Sequence, residues 1–180
     1  MADSPWYPPL EDVKQRVIAA VCNLYRHDWD LLDVDANERS ITHKLAEHLQ
    51  REFPDWYVDC EYNRRRDDIK RFYLDLDFRE IRADDTDAET VFPDIIVHQR
   101  CTEQNLLVIE VKKNNGQKDT RDIKKLKAFT TRLEYQYQYG LFLRLDKTSV
   151  VKFELYQRGR PSDAWAVTLQ SALKELGYSG

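Results

Sequence analysis

The chain has 180 residues, 42% of them hydrophobic and 33% charged, with a net charge of −4 at pH 7. That length suits one domain with a real core, and the acid excess excludes a protein that coats nucleic acid through bulk positive charge, while leaving room for local basic patches. No apolar run approaches ~18 residues, and the N-terminus Met1-Ala2-Asp3-Ser4-Pro5 has no basic region, so the expectation is a cytoplasmic protein with no membrane partner.

Cys22, Cys60 and Cys101 lie far apart without paired spacing, which points to packing thiols in a reducing compartment rather than a zinc site or a disulfide framework. His27, His43, His48 and His98 also lack ligand spacing, and His98 reads as structural.

Leu10, Val13, Val17, Ile18, Val21, Leu24 and Tyr25 recur with the 3.6-residue period of an amphipathic helix over 10–29, and Pro8-Pro9 suits its start. This segment carries no chemistry and reads as an added packing helix. Asp28, Asp30, Asp33 and Asp35 then form a polar turn around Leu31-Leu32, too sparse in ligands and lacking the glycine of a Ca²⁺ loop. Asn37 is a helix cap ahead of the buried stripe Ile41, Leu45, Leu49 and Phe53. Glu38, three residues before Ile41, falls on the inward side of the first turn. There it either complements the helix dipole, worth ~0.3–1 kcal/mol, or serves as an acid in a site. His43 and Glu47 lie off the stripe and should face solvent.

After Phe53-Pro54, residues 56–62 read as the first strand, with Glu61 either ion-paired at the surface or close to a site. The interval 63–90 holds Arg64-Arg65-Arg66, Lys70-Arg71, Phe72-Tyr73 and an acidic loop from Asp84 to Glu89. The three arginines, with Tyr62, Phe72 and Tyr73, could hold phosphates and stack on bases. Equally, they could pair with Asp67, Asp68, Asp75 or Asp77; both readings stand.

Two apolar runs, Val91 to His98 and Leu106 to Lys113, flank a polar interval and read as an antiparallel hairpin. About a turn centred near Thr102, Asp94 falls directly opposite Glu110, on one face with Cβ atoms ~4.5–5.5 Å apart. The side-chain period of two adds Lys112 to that face and sends Leu107, Ile109 and Val111 to the other. Two carboxylates so close need a cation between them or a proton on one. A hard ion such as Mg²⁺ meets that need, because it is commonly held by one or two carboxylates plus substrate phosphate.

Beyond the turn Asn114-Asn115-Gly116, a helix is expected over 118–136. Ile123, Leu126, Thr130, Leu133 and Tyr137 form its apolar side; Lys118, Arg121, Lys125 and Arg132 form a basic stripe which, with Lys113, is placed to bind backbone phosphate. Strands over 140–145 and 150–156 follow, then a closing helix over 162–176 with Trp165, Leu169, Leu173 and Leu176 on one side.

Pro93-Asp94, followed by the strand ending Glu110-Val111-Lys112, resembles the PD-(D/E)XK motif of the restriction-endonuclease-like nucleases. A glutamate opening an earlier helix, matched here by Glu38, is similar to the Holliday-junction-resolvase-like branch, and the similarity spans about residues 37–145. The resemblance implies an α/β fold: a single-domain αβα sandwich around a central mixed β-sheet, with 1–36 an N-terminal helical extension, 37–157 the core and 158–180 a C-terminal helix. The interval 63–90 is longer than the compact form of that family requires.

The activity implied is a metal-dependent deoxyribonuclease, an endonuclease for DNA rather than RNA that leaves 5′-phosphate ends, using Mg²⁺ with Mn²⁺ as an alternative ion. Asp94, Glu110 and the main-chain carbonyl of Val111 would hold the ion, and Glu38 would be a supporting or second-metal acid. Lys112 would orient the attacking water or take its proton. Lys113, Lys118, Arg121, Lys125, Arg64, Arg65 and Arg66 would contact nucleic acid, and concerted cuts on two strands would call for a homodimer. A nuclease-fold module that binds nucleic acid or a protein without turnover, and an enzyme for another phosphate ester, are the competing readings.

Overall fold

The computed structural model describes residues 6–61, 64–65, 68–69, 92–131, 135–162, 165–175 and 177. Helices α1 (Leu10–His27), α2 (Trp29–Asp33) and α3 (Glu38–Glu52) precede strand β1 (Tyr57–Cys60) and a small ladder of β2 (Arg64–Arg65) with β3 (Asp68–Ile69). Next come β4 (Ile95–His98), β5 (Asn105–Lys113), α4 (Thr120–Thr131), β6 (Tyr139–Leu145), β7 (Val150–Gln157), β8 (Arg160–Ser162) and α5 (Ala166–Glu175). The main sheet has the order β1-β4-β5-β6-β7-β8. Its one parallel pair is β5 with β6, the pair joined by α4 as a crossover helix. The described residues thus form a single α/β domain, an αβα sandwich around a six-stranded mixed sheet.

The two faces of β5 assign the layers. Leu107, Ile109 and Val111 pack with Val13, Val17 and Val21 of α1, Ile41, Leu45 and Leu49 of α3, and Leu169 and Leu173 of α5. Val108, with Ile96 and Phe142 from the neighbouring strands, packs under Leu126 and Phe129 of α4. Helix α4 lies close on the sheet at Gly140, where an added Cβ would stand 3.0 Å from Thr130 Cγ2. That close seating sets Leu126 and Thr130 of α4 directly on the start of β6.

Helix α1 is the packing helix its period predicts, with Val13, Val17, Val21 and Leu24 fully buried in the same core as α3 and α5. Three expectations change. The aspartate-rich turn contains the helical turn α2, whose Leu32 is buried, and Asp28 leaves it to meet the buried His48 at 2.6 Å. The helix expected over 118–136 ends at Thr131 among the described residues, and the closing helix starts at Ala166 because β8 takes residues 160–162. Cys60 and Cys101 are exposed rather than packed: the first ends the edge strand β1, and the second turns the β4–β5 hairpin with φ 61°. No helix among the described residues is long and apolar enough to cross a membrane.

Candidate active site at the end of the central hairpin

The hairpin has the register its sequence predicts. Ile95 pairs with Ile109, Ile96 with Val108 and Val97 with Leu107, before an irregularity at His98 near the turn. Continued by one residue, that register sets Asp94 against Glu110. The ladder stops at Ile95, however, and the Asp94 carboxylate turns to accept a 2.7 Å hydrogen bond from the main-chain N–H of Val111. In a strand the N–H and C=O of one residue point to the same side, so the Val111 carbonyl faces Asp94 too. The residue the register would place against that carbonyl is Pro93, which has no N–H to give.

Four further side chains close on this corner. Glu38, first residue of α3, is delivered by the Asn37 cap, whose side chain accepts from Ser40 N at 2.8 Å. Its Oε1 accepts from Lys112 Nζ at 3.3 Å and its Oε2 from Lys113 N at 3.2 Å. From the other layer, α4 contributes Asp122 and Lys125, which sequence reading put on a solvent stripe or passed over. Lys125 Nζ donates to Glu110 Oε2 at 2.5 Å and lies 3.6 Å from Asp122 Oδ1; Asp122 Oδ2 is 3.7 Å from Lys112 Nζ. A signal was available: Asp122, Lys125, Leu126 and Phe129 fall at i, i+3, i+4 and i+7, one helical face, and Phe129 marks it as the buried one.

The basic positions therefore divide. Lys125 is an internal partner of Glu110, not a surface phosphate contact. Lys113 Nζ donates to the carbonyls of Asp35 at 3.1 Å and Ala36 at 2.8 Å and pairs with the Asp35 carboxylate, which makes it a brace for the α2–α3 turn. Lys118 and Arg121 are exposed. The side chains of Arg64 and Arg65, and Arg66 altogether, lie outside the described residues, as do Tyr62, Phe72, Tyr73 and Arg132. His98 is structural as expected: its Nε2 meets Asp59 Oδ2 at 2.8 Å, and Arg100 holds the same carboxylate. Both readings of Glu61 hold: it is ion-paired, 3.0 Å from Arg39 Nε, and it lines the cleft over the site.

A cleft of about 400 Å³ opens over this corner, lined by Asp94, Lys112, Asp122 and Lys125, with exposed Arg39, Arg121 and Phe92 around them. Burial raises the pKa of Asp94. Burial and then the neighbouring Asp94 charge hold Glu110 well above the usual carboxylate range. For Lys112, burial opposes the charge, but the Asp122 and Glu38 carboxylates outweigh it and the net shift is upward. Lys112 is therefore an ammonium at neutral pH in the metal-free protein.

Glu38, Asp94, Glu110 and Asp122 set four carboxylates against two ammonium groups. That imbalance can be met by protons on the two raised carboxyls or by a bound divalent cation. Among the described residues, no three His, Cys, Asp or Glu side chains form a ready ligand cluster; the oxygens on offer are Glu110 Oε1, which is buried with no hydrogen-bond partner, the second oxygen of Asp94 and the Val111 carbonyl. An all-oxygen set of this kind, completed by water and phosphate, fits Mg²⁺. Glu38 fits less well as a second-metal ligand, because both of its oxygens are engaged by Lys112 and Lys113.

No protein-family model matches the chain, and no curated protein does.

The two raised carboxyls set a pH dependence. An acid whose folded pKa exceeds its unfolded value holds a proton that the unfolded chain has lost, so stability falls as pH rises from that unfolded value through the folded one. Asp59 and Asp146, whose pKa values are lowered, act only on the acid side of the ordinary carboxylate range. Lys112, whose pKa is raised, acts only at alkaline pH. The metal-free protein should therefore melt at a higher temperature near pH ~5.5 than near pH ~7.5, with Mg²⁺ restoring stability at the higher pH. Glu110→Gln should shrink the difference; an equal slope in that variant, followed by circular dichroism, would place the titrating group elsewhere.

Proposed function

We propose that this protein is a metal-dependent deoxyribonuclease, an endonuclease of the PD-(D/E)XK type that hydrolyses phosphodiester bonds in DNA. The observation that carries the reading is the meeting of Asp94, Glu110, Lys112 and the Val111 main chain at one corner of the sheet, with more carboxylate than ammonium charge around them. A structural ion pair has no need of a second buried carboxylate beside the first, since burying unbalanced charge is costly.

A Mg²⁺ ion held by Asp94, Glu110 and the Val111 carbonyl, or Mn²⁺ in its place, would polarise the scissile phosphate and lower the pKa of a water. The chain's own groups supply the rest. The cleft, with Arg39 and Arg121 at its edge, would take the phosphate between the start of α3 and the start of α4. Lys112 donates to a phosphate oxygen or to the attacking water and stabilises the charge that grows on the phosphorus centre. Glu38 positions Lys112 from one side and Asp122 from the other.

The test is cleavage of supercoiled plasmid, linear duplex, single strands, a four-way junction and RNA with Mg²⁺, Mn²⁺ or EDTA. Metal-dependent cutting of DNA that disappears in Asp94→Ala and Glu110→Ala supports the assignment; full activity in either variant ends it. The pairing of Lys125 with Glu110 favours one second reading, a nuclease-fold module whose site is closed by its own lysine and which binds nucleic acid without turnover. Retained DNA binding with no cutting under any metal would select that module.

A further inference from the structure

The buried carboxylates already have a cation of the protein's own. Lys125 Nζ is 2.5 Å from Glu110 Oε2 and 3.4 Å from the Phe92 carbonyl. Lys125 is 8% exposed and Glu110 0%, so this is an internal ion pair and not a surface one. It is also half-complete, because Glu110 Oε1 has no hydrogen-bond partner among the described residues.

We infer that Lys125 is the resident counter-ion of the Asp94–Glu110 pair, that a divalent ion must displace it, and that the released ammonium then turns into the cleft toward the substrate phosphate. This rests on the metal-dependent reading above and adds a residue that none of the motif positions supplies. Charge makes the case. A divalent ion on Glu110 Oε1 and Asp94 would sit beside the ammonium on Oε2, and like charges at such distances repel strongly where water is excluded. The geometry provides an exit. The lysine stem is flexible, Asp122 one turn earlier already lies 3.6 Å from Nζ, and Lys125 lines the same cleft as Lys112 and Arg121. Once moved, Lys125 and Lys112 would flank a phosphate from two elements, α4 and β5.

Two consequences follow. The free protein binds divalent ions weakly, since each must evict a paired lysine. Anionic substrate and ion favour one another's binding, because the phosphate takes the lysine that the ion releases, and that coupling is reciprocal.

The experiment is titration of the full chain with Mn²⁺ alone, by calorimetry, for the wild type, Lys125→Ala, Lys125→Met and Glu110→Gln. Removing the lysine should tighten Mn²⁺ binding by ~10-fold or more, and Glu110→Gln should abolish binding. Equal or weaker binding in the Lys125 variants, with Glu110→Gln still abolishing it, overturns the role of Lys125 and leaves the metal reading intact. No Mn²⁺ binding by the wild type or by folded Lys125 variants overturns both. A second measurement needs no variant: acetylation of Lys125 by acetic anhydride, read by mass spectrometry, should rise several-fold when the wild type is saturated with Mn²⁺. Unchanged labelling of the saturated protein overturns the displacement.

Discussion

Lys112→Ala is expected to lower the rate of metal-dependent DNA cleavage by ~10²–10³-fold, the usual cost of deleting one preorganised donor to a developing charge, while leaving the fold and Mn²⁺ binding in place. The residue is only partly buried, and its ammonium is held 3.3 Å from Glu38 Oε1 and 3.7 Å from Asp122 Oδ2, so truncation removes a charge at the cleft and no core packing. Its pKa is raised in the metal-free protein, against burial, by the Asp122 and Glu38 carboxylates; if it stays charged beside the ion it acts by donation, and its loss should cut the rate without moving the acid limb of the pH–rate profile. Lys112→Arg should not restore activity, because a planar guanidinium cannot reproduce the point contact of an ammonium. Glu38→Gln should be milder, ~10-fold or less, since the amide still accepts from Lys113 N and only the charge that positions Lys112 is lost. Single-turnover cleavage at saturating Mg²⁺, beside a thermal melt of each variant, measures all three. A Lys112→Ala rate within ~3-fold of wild type would remove this lysine from the reacting phosphate.

Trp165→Ala should destabilise the protein by ~3–5 kcal/mol, with each kcal/mol lowering Tm by ~2–4 °C in a chain of this size. Trp165 is 1% exposed, packs on Phe153 of β7 with ring centroids 5.7 Å apart, and joins the core shared by α1, α3 and α5. A cavity there opens beneath the strands that back β5, and β5 carries Glu110 and Lys112. Trp165→Phe should cost far less than the alanine. It keeps most of the apolar contact and deletes an indole N–H that is buried without a hydrogen-bond partner among the described residues, a group that is itself a burden of ~1–3 kcal/mol. Urea unfolding of the two variants compares them directly; equal losses would mean that the indole N–H is satisfied in solution.

The parts of this molecule that the sequence by itself determined are those set by local periods. The polar interval between the two apolar runs centres the hairpin near Thr102, which fixes its register, and the period of two then fixes which side chains share a face. Ile95 opposite Ile109, and Asp94 at the end of that ladder beside Glu110, were therefore legible, as were the Asn37 cap and the stripe from Ile41 to Phe53. The tertiary structure decided what the charged side chains do. Glu38 meets Lys112 across 74 positions of chain, and Lys113 braces Ala36 across 77; no local pattern records either contact. Lys125 shows the reason most plainly. On α4 a lysine at that position is equally at home in water or against a buried carboxylate, and the outcome depends on how close the helix lies to the sheet. Gly140 permits the close approach, Glu110 supplies the partner, and neither belongs to the helix whose lysine they claim. Apolar residues choose their side by burial alone, whereas a charged residue chooses by the partner that the fold brings to it.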